Sequence, residues 1–184
     1  MTKNYVAPGL IFLVLVAMLA GCRRSPSPDA PSGTSSGNSA LSSMTLSQIV
    51  DKIYENHPME LPLGTVEVDL TDSYAVKAYL GLDSTDKITE AVASESMLGA
   101  QAYSLVLCRV KNAADAQSVA RQMRDGIDQR KWVCVMADDI MVSACGDVVM
   151  LVMISSDYAQ NGTAESLTQA FKKVCGTDLS VQIR

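Results

Sequence analysis

The chain has 184 residues, a formal charge of −5, 48% hydrophobic residues and a single histidine. That length holds one ordinary domain with a core of its own. The acidic balance repels phosphate backbones and speaks against nucleic acid as a partner, while one histidine excludes a histidine-cluster metal site, so neither a metal nor another cofactor is expected.

From Gly9 to Ala20 the chain is wholly apolar after its glycine, and only Lys3 and the terminal amine precede it as positive charges. A membrane-crossing helix needs about 20 apolar residues, whereas the core of a secretory signal runs about 7 to 15. This shorter run fits the signal. The tetrapeptide that follows, Leu19-Ala20-Gly21-Cys22, resembles the lipobox of bacterial lipoproteins. On that resemblance the bond between Gly21 and Cys22 is cleaved, and Cys22 carries the lipid. Arg23 and Arg24 balance Lys3 and the amine across the core, so charge does not set the orientation; the lipobox does. Two or more acyl chains make a stable attachment, and the mature protein is expected at the cell membrane, lipid-anchored on its extracytoplasmic side.

Between Arg23 and Ser43, serine, proline and glycine supply 13 of 21 residues. Too little there is apolar to offset the entropy of ordering. The stretch reads as a flexible tether with a reach on the order of 25 Å. Within it, Gly33-Thr34-Ser35-Ser36-Gly37 matches the nucleophile-elbow spacing, but that motif needs a strand before it and a helix after it. The match is assigned to chance. The expected layout is residues 1–21 as signal peptide, 22–43 as lipidated cysteine and tether, and 44–184 as a single globular α+β domain.

In that domain Leu46, Ile49, Val50, Ile53 and Tyr54 recur at the spacing that lines one helix face. Thr45 and Gln48 form a capping box ahead of it, and His57-Pro58 ends it. Thr65 to Leu70 alternates as a short half-buried strand. Asp72 to Leu80 is a short helix closed by Gly81. Ile88 to Glu95 and Ala102 to Val110 are two strands placed as neighbours. Asn112 caps a helix that buries Ala116, Val119, Ala120, Met123 and Ile127.

Three β-rich runs follow, Trp132 to Ala137, Ile140 to Cys145 and Val148 to Ser155, broken at Asp138-Asp139 and Gly146-Asp147. Two-residue breaks of turn formers predict successive hairpins. A last helix starts near Gly162-Thr163, buries Leu167, Ala170, Phe171 and Val174, and stops at Gly176; Glu165 and Lys172-Lys173 suit its dipole. The fold class is therefore α+β, a mainly antiparallel sheet of about four to five strands packed with three main helices.

The hairpin register puts Trp132, Cys134, Met136, Met141, Ser143, Cys145, Val148, Met150 and Val152 on one sheet face. The opposite face is equally apolar, so both sides need a cover. If the three helices split between the faces, the domain closes on itself. If they gather on one side, Trp132, Met136, Met141 and Met150 form an exposed docking surface with Arg130 and Lys131 at its rim.

Few residues carry chemistry. His57 reads as a solvated loop histidine. Ser84-Thr85-Asp86-Lys87 has the S-x-x-K spacing of penicillin-interacting enzymes, but the partner motifs are absent and Ser84 reads more simply as a helix cap. The acids from Glu60 to Asp86 lack calcium-loop spacing, and Asn161-Gly162-Thr163 is a turn into a cap. Besides Cys22, four cysteines remain, Cys108, Cys134, Cys145 and Cys175, which an oxidising compartment can pair in three ways. In the hairpin register Cys134 and Cys145 are diagonal neighbours near or beyond disulfide reach. That pair is expected to be reduced, with the cysteines acting mainly as small core residues.

Ile53-Tyr54, Tyr79-Leu80-Gly81-Leu82, Glu90 to Met97, Ser104 to Lys111 and Arg130-Lys131-Trp132-Val133-Cys134-Val135 resemble an uncharacterised family of bacterial lipoproteins, domain of unknown function 4358. The resemblance covers about residues 45 to 155. It implies the lipoprotein setting and brings no activity, substrate or catalytic residue. The reading is a lipid-anchored extracytoplasmic cell-envelope protein, a non-enzymatic binding or accessory module with an envelope protein partner or a second copy of itself. The alternative is an extracytoplasmic hydrolase with an unidentified serine or carboxylate site.

Overall fold

The computed structural model describes residues 39–184, and the signal, Gly21, Cys22 and most of the tether lie outside them. Its elements in chain order are α1 Ser39–Ser42, α2 Leu46–Asn56, β1 Leu63–Glu67, α3 Ser73–Leu80, β2 Ile88–Ser96, β3 Tyr103–Val110, α4 Ala116–Gly126, β4 Asp139–Cys145, β5 Val148–Ile154, α5 Ala164–Cys175 and β6 Val181–Ile183. The six strands form one sheet in the order β1-β2-β3-β5-β4-β6, with every pair antiparallel. The α+β class holds, with one strand more than expected.

Helix ends fall where local chemistry places them. Thr45 Oγ1 accepts the Gln48 N–H at 3.2 Å while Gln48 Oε1 accepts the Thr45 N–H at 3.0 Å, the reciprocal capping box. Asp72 Oδ1 accepts the N–H groups of Tyr74 and Ala75 at the start of α3. Thr163 and Ser166 cap α5 in the same reciprocal way. Gly81 and Gly176 close α3 and α5 in the left-handed region, which costs least for a residue without Cβ. Asn112 caps a 3-10 turn over Ala113–Asp115, and this turn in turn leads into α4.

The hairpin of β4 and β5 has the expected register, with Cys145 opposite Val148 and Met141 opposite Val152. Gly146, at φ 60°, takes the left-handed position of the two-residue turn. One face of the sheet packs Val106, Val142, Ala144, Val149, Leu151 and Met153 against α3 and α4. The other packs Leu105, Leu107, Met141, Val148, Met150 and Val152 against α1, α2 and α5. The helices split between the faces. The near-continuous apolar runs of β3 and β5 follow from burial on both sides.

Four expectations need correction. Trp132 to Ala137 is a loop and not a strand, because β4 has no edge left for it: β5 pairs on one side and β6 on the other, with Val142 opposite Ile183 and Ala144 opposite Val181. Cys134 therefore has no register with β4; it is exposed while Cys145 is buried, and no disulfide joins the two. The alternation from Thr65 to Leu70 shifts to Leu63–Glu67, an edge strand on which Val66 is 50% exposed; the chain then leaves the sheet at Val68, whose N–H reaches Ala91 O at 2.9 Å. The domain also begins before residue 44. Leu41 is buried among α2, α5 and β5 residues, and Arg109 of β3 donates to Leu41 O and Met44 O while pairing with Glu90 and Asp147.

Candidate functional site

The residues singled out for catalysis are occupied in building the fold. Ser84 Oγ accepts the Asp86 N–H at 3.1 Å in a turn, with no helix after it to cap. Lys87 reaches away from it, 2.6 Å to Asp115 Oδ1 and 3.1 Å to Ser118 Oγ. No serine–lysine pair is assembled there, although Ser84 lines a cleft of about 520 Å³ with Lys77, Asp83, Gln122 and Asp125. His57 is half-buried instead of freely solvated. Its Nε2 lies 3.1 Å from Asn161 O and 3.4 Å from Ser166 Oγ, and it is wedged so closely on Gly162 that a Cβ there would come within 2.4 Å of it. Ser166 Oγ is already spent on the Thr163 cap. The single histidine thus joins the end of α2 to the start of α5.

A second cleft, about 400 Å³, gathers Glu67, Asp69 and Glu90 with Thr45, Ser47 and Thr89. A carboxyl acid needs a raised pKa to donate near neutral pH. Here the Thr71 hydroxyl and N–H hold Asp69 below the ordinary carboxylate range, and Glu90 pairs with Arg109 at 2.7 Å. Asp69 is thereby held as the anion, and the Glu90 carboxylate is taken up by its ion pair. Among the described residues no group of three or more His, Cys, Asp or Glu is placed to hold a metal ion.

The Arg130-Lys131-Trp132 stretch lies elsewhere and is built differently. After α4, Asp128 Oδ1 accepts the Arg130 N–H at 2.8 Å and turns the chain. The loop is then pinched shut where Ala137 N–H reaches Gln129 O at 3.0 Å and Gln129 Nε2 reaches Ala137 O at 3.2 Å. From it the Lys131 side chain, 12% exposed, descends onto the end of the β2–β3 pair. Its ammonium is ion-paired with Glu95 and lies 3.2 Å from Ser104 Oγ and 3.3 Å from Ala78 O. Three donors meet three acceptors. The Tyr79 and Trp132 rings stand 5.1 and 5.2 Å from it, within cation–π range. Desolvation pulls the Lys131 pKa down against the opposing pull of Glu95, and burial followed by the Glu95 charge pushes the Tyr79 phenol up.

Lys131 is therefore a buried clamp and not a rim charge. Met141 and Met150 are buried in the α2/α5 core, so they belong to no surface. Trp132 packs half-buried on the opposite, α3/α4 side of the sheet. What remains outside is a loop crest: Arg130, Val133 at 77% exposure, Cys134 in the left-handed region at φ 64°, and Met136 at 41%.

Sequence patterning missed Glu95 and Ser104 as the partners of Lys131. The available signal was a charged Glu95 and a polar Ser104 at the facing ends of β2 and β3. No helix among the described residues is long and apolar enough to cross a membrane. Compared with protein-family models, with curated proteins and with solved structures, the chain matches none.

Proposed function

We propose that this chain is a lipid-anchored, extracytoplasmic cell-envelope protein acting as a non-enzymatic binding or accessory module. The observation that carries the reading is Cys22, placed after a short apolar core and directly before a Ser/Pro/Gly-rich tether, the arrangement the lipobox resemblance implies. The resemblance to domain of unknown function 4358 supports the same setting. Replacing Cys22 by serine is expected to abolish incorporation of a fatty-acid probe and to leave the precursor at its full length. Equal labelling of the wild-type chain and Cys22→Ser removes the anchor.

The binding half of the reading draws on the loop from Arg130 to Met136. Lys131 holds the loop while Val133 and Met136 face solvent, so its apolar crest is presented without much ordering entropy left to lose on contact. An envelope protein partner is its proposed occupant. A photoreactive side chain at Val133 is expected to give a discrete protein adduct in membranes, lost on Met136→Asp. One at exposed Asp51 of α2 gives none. An adduct pattern identical at the two positions rules the crest out as the docking segment.

A further inference from the structure

Four cysteines remain once Cys22 is committed to the anchor, and their surroundings differ. Cys108 is fully buried with its thiol 3.7 Å from Met123 Sδ, and burial pushes its pKa up to about 12. Such a thiol is inert. Cys134 stands alone on the exposed loop. Cys145 is the last residue of β4 and Cys175 the last residue of α5, and both face the same core at 2% and 3% exposure. Helix α5 starts where the Ala164 N–H meets Asp139 Oδ2 at the first residue of β4, so the two elements run to their last residues in the same core, and each thiol shifts the other's titration, Cys175 lowering Cys145 and Cys145 raising Cys175.

That proximity is specific in origin. Helix α5 lays Leu167, Ala170, Phe171 and Cys175 on the face of β4 that carries Met141 and Cys145. The end of the helix thereby meets the β4–β5 turn. Two thiols at neighbouring element ends reach the roughly 2.05 Å of a disulfide by rotation about two χ1 angles and a small slide of a helix end. Gly176 is next in the chain and has open space around it, with nothing within 4 Å of where a Cβ would stand, so that end has room to adjust.

We infer that Cys145 and Cys175 are joined as a structural disulfide in the exported protein, closing the segment that contains β5 and α5. The inference rests on the extracytoplasmic reading, since such a compartment maintains disulfides and a reducing one does not. The oxidant is a disulfide-bearing thiol oxidoreductase, acting while α5 docks and the thiols are still open to it. The Cys145 thiolate attacks one sulfur of the oxidant's disulfide and expels the other as a thiolate. The Cys175 thiolate then attacks Cys145 Sγ in the mixed disulfide and expels the oxidant's second sulfur. The two protein thiols give up two electrons and two protons, and the oxidant leaves as a dithiol.

The test is peptide mapping of the full-length chain isolated from membranes, with free thiols alkylated under denaturing conditions at lysis. A Cys145–Cys175 cross-linked peptide is expected, with Cys108 and Cys134 alkylated. Reduction is expected to lower Tm by on the order of 10 °C, as a closed loop of about 30 residues implies, and to leave Tm unmoved in Cys145→Ala/Cys175→Ala. A parallel sample of the reduced full chain, purified in detergent and refolded in a glutathione redox buffer, separates geometry from compartment. A bridge formed there but absent from membranes overturns the extracytoplasmic reading and supports the pairing. Free Cys145 and Cys175 in both samples, or either one bridged to Cys134, overturns the pairing itself.

Discussion

Gly126→Ala is expected to lower the unfolding free energy by about 3 to 5 kcal/mol, as overpacking against something that cannot yield does at its upper end. Gly126 ends α4, and a Cβ there would lie 2.0 Å from Gly81 O; a Cβ on Gly81 would lie 2.4 Å from Ile127 N. The two glycines are the point at which the ends of α3 and α4 cross, backbone on backbone. A flexible side chain swings away cheaply, but a carbonyl at the end of a helix does not. Relief requires α3 to part from α4, opening the core around Leu80, Val119 and Met123.

Gly176→Ala is the internal comparison. Its φ of +68° matches the +70° of Gly81, yet nothing crowds it, so only the left-handed backbone cost of about 1 kcal/mol applies. The double variant Gly81→Ala/Gly126→Ala is expected to lose less than the sum of its parts, because one separation of the helices relieves both contacts. Urea unfolding of the full chain measures all four. A loss at Gly126 no larger than at Gly176 contradicts the crossing.

Lys131→Met is expected to cost about 3 kcal/mol. Removing one member of a buried pair strands its partner, here Glu95, whose side chain is only 24% exposed, together with the fully buried Ser104. Methionine keeps most of the stem's packing on Tyr79 and Trp132, so the loss reports the charge. Adding Glu95→Gln is expected to recover most of it, since a pair replaced by neutral groups of similar volume is close to neutral. The single variant should also free the 129–137 loop, seen as faster proteolysis near Val133 while the helices stay intact. Additive losses in the Lys131→Met/Glu95→Gln cycle would show that the two groups do not act as a pair.

The sites of these effects differ in how far they could be read from residue order. Helix limits were legible because caps act over three or four residues: Thr45 with Gln48, Asp72 with Tyr74 and Ala75, and Gly81 and Gly176 at the far ends each complete their chemistry locally. The β4–β5 hairpin was legible for the same reason, with a two-residue turn fixing the register of everything beside it. The apolarity of both its faces required a cover on each, although not which helices would provide it.

Only the tertiary structure decided the rest. Trp132 to Ala137 has a composition that suits a strand, and what denied it one was the capture of the free edge of β4 by Val181–Ile183, a segment too short to announce itself. Lys131 looked like a surface charge because its partners, Glu95 and Ser104, are 36 and 27 residues away and are brought beneath it only when β2 and β3 pair. Cys145 and Cys175 meet only when α5 lies across β4. Local patterning records which residues want burial and where helices stop. It does not record which edge is taken first, nor which distant polar group will be waiting for a buried charge, because those are properties of the packed arrangement as a whole.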